Sequence, residues 1–210
     1  MQDQDNMGKV RVWDPLVRIG HWLLAGAFFV AYFTEDELLS VHVWAGYTVG
    51  TIVTIRILWG FIGSGHAKFS DFLYSPARSF AYLIQLVRQR ARRYLGHSPA
   101  GGAMVLMLLA SLVATTWSGL MVYAYEEKAG PLAPMIVAQA GSPEVSTLSD
   151  EDSDSAFEQK EDFWEELHEF SANLTLLLVI LHVAGVLLAS RAHRENLIGA
   201  MITGLKRSYE

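Results

Sequence analysis

The stretch LHEFSANLTLLLVILHVAGVLLAS, residues Leu167–Ser190, decides the fold. From Phe170 to Ser190 no residue carries a full charge, and Leu, Val, Ile and Ala dominate. A bilayer needs about 20 such residues to be crossed by a helix. The stretch also holds two histidines, His168 and His182, 14 residues apart. At 1.5 Å per residue they are about 21 Å apart along the axis, and nearly four full turns bring them to about the same face. An ionisable residue within a span is costly and marks function by default.

Working outward, three further apolar runs are long enough to cross. The expected spans are about 16–34, 41–62, 103–125 and 170–189. The fold class is therefore all-α: an integral membrane four-helix bundle formed by a single domain over 1–210. The composition agrees, with 51% hydrophobic and only 18% charged residues, against about a quarter charged in soluble domains. Cysteine is absent, which excludes disulfides, thiol catalysis, iron–sulfur ligation and covalent c-type haem attachment. The net charge of −6 excludes a generic nucleic-acid binder.

Charge placement predicts orientation. The connection between spans two and three carries Lys68, Arg78, Arg88, Arg90, Arg92 and Arg93, and the C-terminal tail carries Arg191, Arg194, Lys206 and Arg207. The connection over residues 126–166 has 12 acids against Lys128 and Lys160, a net −10. Both termini are expected in the cytoplasm, with the acidic loop in the periplasm of a Gram-negative source. Within the cytoplasmic connection, Phe80, Leu83, Ile84, Val87, Ala91 and Tyr94 recur at helical spacing, which predicts an amphipathic helix on the inner leaflet. Residues 142–160, rich in Ser and acids, are expected to be mobile, and Glu161–Glu169 to form the first turns of the fourth helix.

Seven histidines are present. Antiparallel threading places His42 and His168 at the outer level, and His21 and His182 at the inner level. Two imidazoles facing each other across a helical bundle hold b-type haem iron without a covalent link to the protein. The predicted cofactors are two haems b, each bis-histidine ligated. A single zinc or copper site is excluded, because its ligands must all lie about 2 Å from one ion. Small residues near the ligands, Ala25, Gly46, Gly50, Ala172 and Gly185, leave room for a macrocycle. Arg18, three residues before His21, and Arg56, 14 after His42, are candidate partners for haem propionates. The competing role for both is snorkelling to headgroups. Trp13, Trp44, Trp59 and Trp164 fall near membrane edges as an aromatic belt. No catalytic base or nucleophile stands out.

The segments VWDPLVRIGHW (12–22), HVWAGYTVGTIVTIRILWGFIG (42–63), GSGHAKFSDF (63–72), LHEFSANLTLLLVILHVAGVLLAS (167–190) and HRENLIGAMITGLKR (193–207) resemble the bacterial four-helix cytochrome b561 family, which includes the b-type subunit of nickel–iron hydrogenases. The resemblance implies His21, His42, His168 and His182 as ligands of two haems, quinone-linked electron transfer and a bacterial inner-membrane location. His66 and His193 resemble family positions close to a quinone; as isolated interfacial histidines they read as solvated. The expected function is electron transfer between the quinone pool and a periplasmic redox partner, with membrane lipid and quinone as the other partners. Superoxide oxidation coupled to quinone reduction and a hydrogenase membrane subunit are the redox alternatives. A haem-free anchor or transporter subunit is the non-redox one. An outer loop of net −10 opposes capture of an anion and favours a cationic partner such as a c-type cytochrome.

Overall fold

A computed structural model describes residues 8–35, 38–63, 67–140 and 150–208. Among them are seven α-helices: α1 (Pro15–Phe33), α2 (Leu39–Ile62), α3 (Pro76–Val87), α4 (Pro99–Tyr125), α5 (Ala133–Ala140), α6 (Asp150–Ala192) and α7 (Leu197–Thr203). Two short strands, β1 (Lys9–Arg11) and β2 (Leu205–Arg207), pair antiparallel with Val10 opposite Lys206. Among the described residues, four helices are long and apolar enough to cross a membrane: α1, α2, α4 and the Ser155–Ala192 part of α6. Trp44, Phe33, Phe61 and Ile62 are each at least 70% exposed, an apolar surface that hydrocarbon accommodates and water does not. The protein is an all-α, multi-pass membrane protein.

The chain forms two compact units, Met1–Leu109 with Leu177–Glu210, and Ala110–Leu176. In the first, α1 starts where Asp14 accepts a hydrogen bond from the Leu16 amide at 2.8 Å, with Pro15 in the first turn. That proline lacks the N–H that a first turn leaves unpaired anyway. α1 and α2 pack together; the short connection between them makes the pair antiparallel. Because β1 pairs with β2, the segment before α1 and the segment after α7 lie together.

The amphipathic helix is shorter than its periodicity predicts. α3 runs only over Pro76–Val87, and Gln89 then turns the chain at φ 55°. Residues 90–94 leave the helix, and there the Arg93 side chain and the Tyr94 carbonyl are engaged by the C-terminal segment. Arg93 makes a bidentate pair with Glu195 at 2.9 and 3.3 Å and donates to the Arg207 and Ser208 carbonyls, while Lys206 donates to the Tyr94 carbonyl at 3.5 Å. The Lys206 ammonium also lies over the Trp13 ring, 5.4 Å from its centre. This clamp ties the connection, the C-terminal strand and the start of α1 together. Burial alone would raise the Glu195 pKa, but hydrogen bonds from Arg93 and the charge of Lys206 hold it below the usual carboxylate range. On α3, Tyr82 and Leu86 are buried against protein, while Phe80, Leu83, Ile84 and Val87 face outward. The outward set is the apolar face read from the sequence.

In the second unit the prediction of a mobile segment through residue 160 is corrected. α6 begins at Asp150 and is 43 residues long, about 65 Å at 1.5 Å per residue, against a hydrocarbon core of about 30 Å. Its extramembrane turns have something to pack on. Phe157 and Trp164 lie against a buried cluster of Met121, Ala124, Tyr125 and Ile136. Residues 141–149 lie outside the described residues.

Candidate functional site

His21 and His182 both belong to the first unit, on α1 and α6. Their ring centres are 6.3 Å apart with planes at 55°. Two metal–nitrogen bonds of about 2 Å each, plus the step from each nitrogen to its ring centre, span about the same distance. The Nδ1 atom of His21 is buried with no hydrogen-bond partner among the described residues.

His42, on α2, places Nδ1 2.9 Å from the Ala31 carbonyl. A carbonyl only accepts, so this contact puts a proton on Nδ1. His168, on α6 in the second unit, makes the same kind of contact, with Nδ1 3.0 Å from the Thr115 carbonyl and 3.2 Å from Ser118 Oγ. Such bonds fix the tautomer and orientation of metal-ligating histidines and raise their basicity. Two of the small residues near the histidines of the spans also have room around them. Gly46 and Gly185 are half-buried, yet a Cβ on either would meet nothing within 4 Å. A glycine kept for close helix contact would show the opposite.

The two arginines differ. Arg18 donates through Nε to the Met201 carbonyl at 3.3 Å and through Nη2 to the Ile202 carbonyl, so its guanidinium closes the C-terminal end of α7. That closure requires Gly204. The residue sits at φ 82°, and a Cβ there would be 2.8 Å from Arg18 Nη1 and 3.1 Å from the Trp13 carbonyl. Arg56 lies over the Phe69 ring, 5.3 Å from its centre, and its Nη1 is buried with no hydrogen-bond partner among the described residues. A buried guanidinium nitrogen without a partner is costly and suits a carboxylate ligand.

Of the remaining histidines, His193 is half-buried rather than solvated, with Nε2 3.2 Å from the Tyr82 hydroxyl. Burial holds its pKa below the ordinary imidazole value. His97 packs between Trp13 and Phe72, at ring distances of 4.7 and 4.4 Å. His66 lies outside the described residues.

The sequence model of the prokaryotic cytochrome b561 family matches residues 12–204. The chain belongs to that family. No curated protein and no solved structure matches it. Membership makes the chain a bacterial membrane b-type cytochrome that binds haem b and transfers electrons. The residues of this cytochrome fit such a group: an imidazole pair whose ring separation matches two metal–nitrogen bonds, two further imidazoles each held at Nδ1 by a backbone carbonyl, and half-buried glycines beside which a Cβ would have room. Sequence reasoning missed the α4 residues around His168. Their only sign in the sequence was the hydroxyl-bearing TTWSG, residues 115–119, inside an otherwise apolar span.

Proposed function

We propose that this cytochrome carries two haems b and passes electrons between the membrane quinone pool and a cationic redox protein on the periplasmic side. His21 and His182 hold one haem, and His42 and His168 the other. The observation that carries the reading is the His21–His182 ring separation of 6.3 Å, which two metal–imidazole bonds account for. The bound haems supply reversible one-electron chemistry; the protein supplies spacing, potential and access. Lys and Arg placement supports a cytoplasmic location for both termini.

Arg56 is the propionate partner, since Arg18 is engaged at the end of α7. A fixed cation stabilises the reduced, less positive state of a nearby centre. Arg56→Gln is therefore expected to lower the midpoint potential of the component that depends on His21. A potentiometric titration with that midpoint unchanged would remove Arg56 from the site.

The acidic loop favours a cationic partner over superoxide. Glu126 shows how crowded the negative charge is. Burial raises its pKa, and the charges of Glu165, Glu161 and Glu127 raise it further. A negative field raises the association rate of a cation and weakens with salt, as screening acts within about 8–10 Å at physiological strength. With quinol as reductant and a basic c-type cytochrome as acceptor, neutralising Asp150, Glu151, Asp152 and Asp154 to Asn or Gln should slow the second-order exchange at low salt. The difference should close at high salt, with haem spectra unchanged. Equal low-salt rates would make the loop a solubilising insertion and return superoxide as the substrate to test. No reduction by quinol would contradict the quinone link.

A further inference from the structure

We propose that residues Thr115–Gly119 of α4 are a positioning element for His168, with the Thr115 carbonyl and Ser118 hydroxyl setting the electron density on its metal-binding nitrogen and Gly119 making room for the ring. The inference rests on the cytochrome reading above. It concerns the one crossing helix that carries no histidine and to which the sequence assigned no role.

Positions 115, 118 and 119 are three and four apart, so they share one face of α4. All the groups involved belong to the same compact unit. The Thr115 carbonyl, 3.0 Å from His168 Nδ1, fixes the proton on that nitrogen. The Ser118 hydroxyl donates to the Ala114 carbonyl at 2.8 Å, which turns its lone pairs toward the other neighbours. It therefore accepts from the same Nδ1–H at 3.2 Å. Ser118 has no exposed surface, so water does not compete for this bond. Around it, Ser171 Oγ lies at 3.4 Å, and the Thr115 and Thr175 hydroxyls are 3.2 Å apart.

Gly119 needs a separate explanation. It sits inside a helix, where glycine is unfavourable relative to alanine. A Cβ there would lie 2.7 Å from His168 Cε1 and 3.1 Å from Nδ1. The ring occupies the place of the missing side chain, so any larger residue must push it away from both acceptors.

An acceptor on Nδ1–H gives the imidazole more anionic character and makes its other nitrogen a stronger donor. A stronger donor favours ferric over ferrous iron, and hydrogen bonding to the ligating histidines is one of the ways a protein sets haem potential. Removing the Ser118 acceptor must therefore raise the potential of the haem that His168 ligates.

The test uses the full-length cytochrome purified with its haems. His168→Ala first identifies the spectral component that depends on His168. Ser118→Ala should keep wild-type haem content and shift the midpoint of that component upward, leaving the other in place. Thr175→Val, which alters the same hydroxyl cluster without touching His168, should move neither midpoint. Gly119→Ala should change the low-spin electron paramagnetic resonance signal of the His168 component, or convert it to high spin, with the other signal retained. An unmoved midpoint in Ser118→Ala, equal shifts in both components, or a wild-type spectrum in Gly119→Ala would overturn the inference while leaving the cytochrome reading intact. Wild-type protein without haem would overturn that reading instead.

Discussion

His21→Ala and His182→Ala are each expected to abolish the same haem component and leave the other in place. The two ring centres are 6.3 Å apart, and under the proposed ligation either substitution would remove one of two imidazoles from a shared iron. The next histidine on α6 is 14 residues away. The double variant should lose no more haem than either single one, because both act on one site. His42→Ala and His168→Ala should remove the second component. Reduced-minus-oxidised spectra of the four variants check the scheme. Loss of one and the same component in His21→Ala and His42→Ala would contradict it.

Arg93→Ala is expected to be the most destabilising substitution outside the spans. It leaves Glu195, whose side chain is 7% exposed, without its bidentate partner, and it frees the Arg207 and Ser208 carbonyls that hold β2. Breaking such a pair from one side costs on the order of 3 kcal/mol, because a buried charge is left uncompensated. The loss should appear as a lower denaturant midpoint for haem release. The sign of the pH dependence follows from Glu195. Its folded pKa is depressed, so its contribution is present above the unfolded carboxylate pKa and disappears as pH falls through the folded one. Arg93→Ala should therefore differ most from the wild type near neutral pH and converge with it in acid. A variant as stable as the wild type at neutral pH would show that the clamp carries no weight.

The four crossings were legible because a bilayer imposes a length and forbids exposed polar backbone. Their ends were less so. The sequence places the fourth span from residue 170, yet α6 starts at Asp150. Residues such as Ser153 and Asp154 read as disorder when the partner surface is unknown. The pattern of Phe157 and Trp164 gains meaning only beside Met121, Tyr125 and Ile136, brought together by tertiary packing. At α3 the error runs the other way. Tyr94 continues the helical periodicity, but its carbonyl accepts from Lys206, and the neighbouring Arg93 reaches across to Glu195. A contact 102 residues away in sequence overrides local propensity.

The candidate site was legible through its histidines, which are conspicuous because an ionisable group in a span is costly. Groups that act through backbone or small side chains were not. Ser118 and Gly119 read as unremarkable members of an uncharged span until His168 is seen lying against them. Arg18 and Arg56 could not be separated by sequence position. The α7 carbonyls separate them, by engaging Arg18 and leaving Arg56 with a nitrogen that has no partner among the described residues.

The central claim is that four histidines hold two irons, two to each. Pyridine haemochrome quantification against protein mass, with electron paramagnetic resonance of the oxidised protein, tests it most directly. About two haems b per polypeptide, both low-spin, is the predicted result, since every iron then has two axial imidazoles. One haem per chain, or a high-spin signal from the intact wild-type protein, would contradict it.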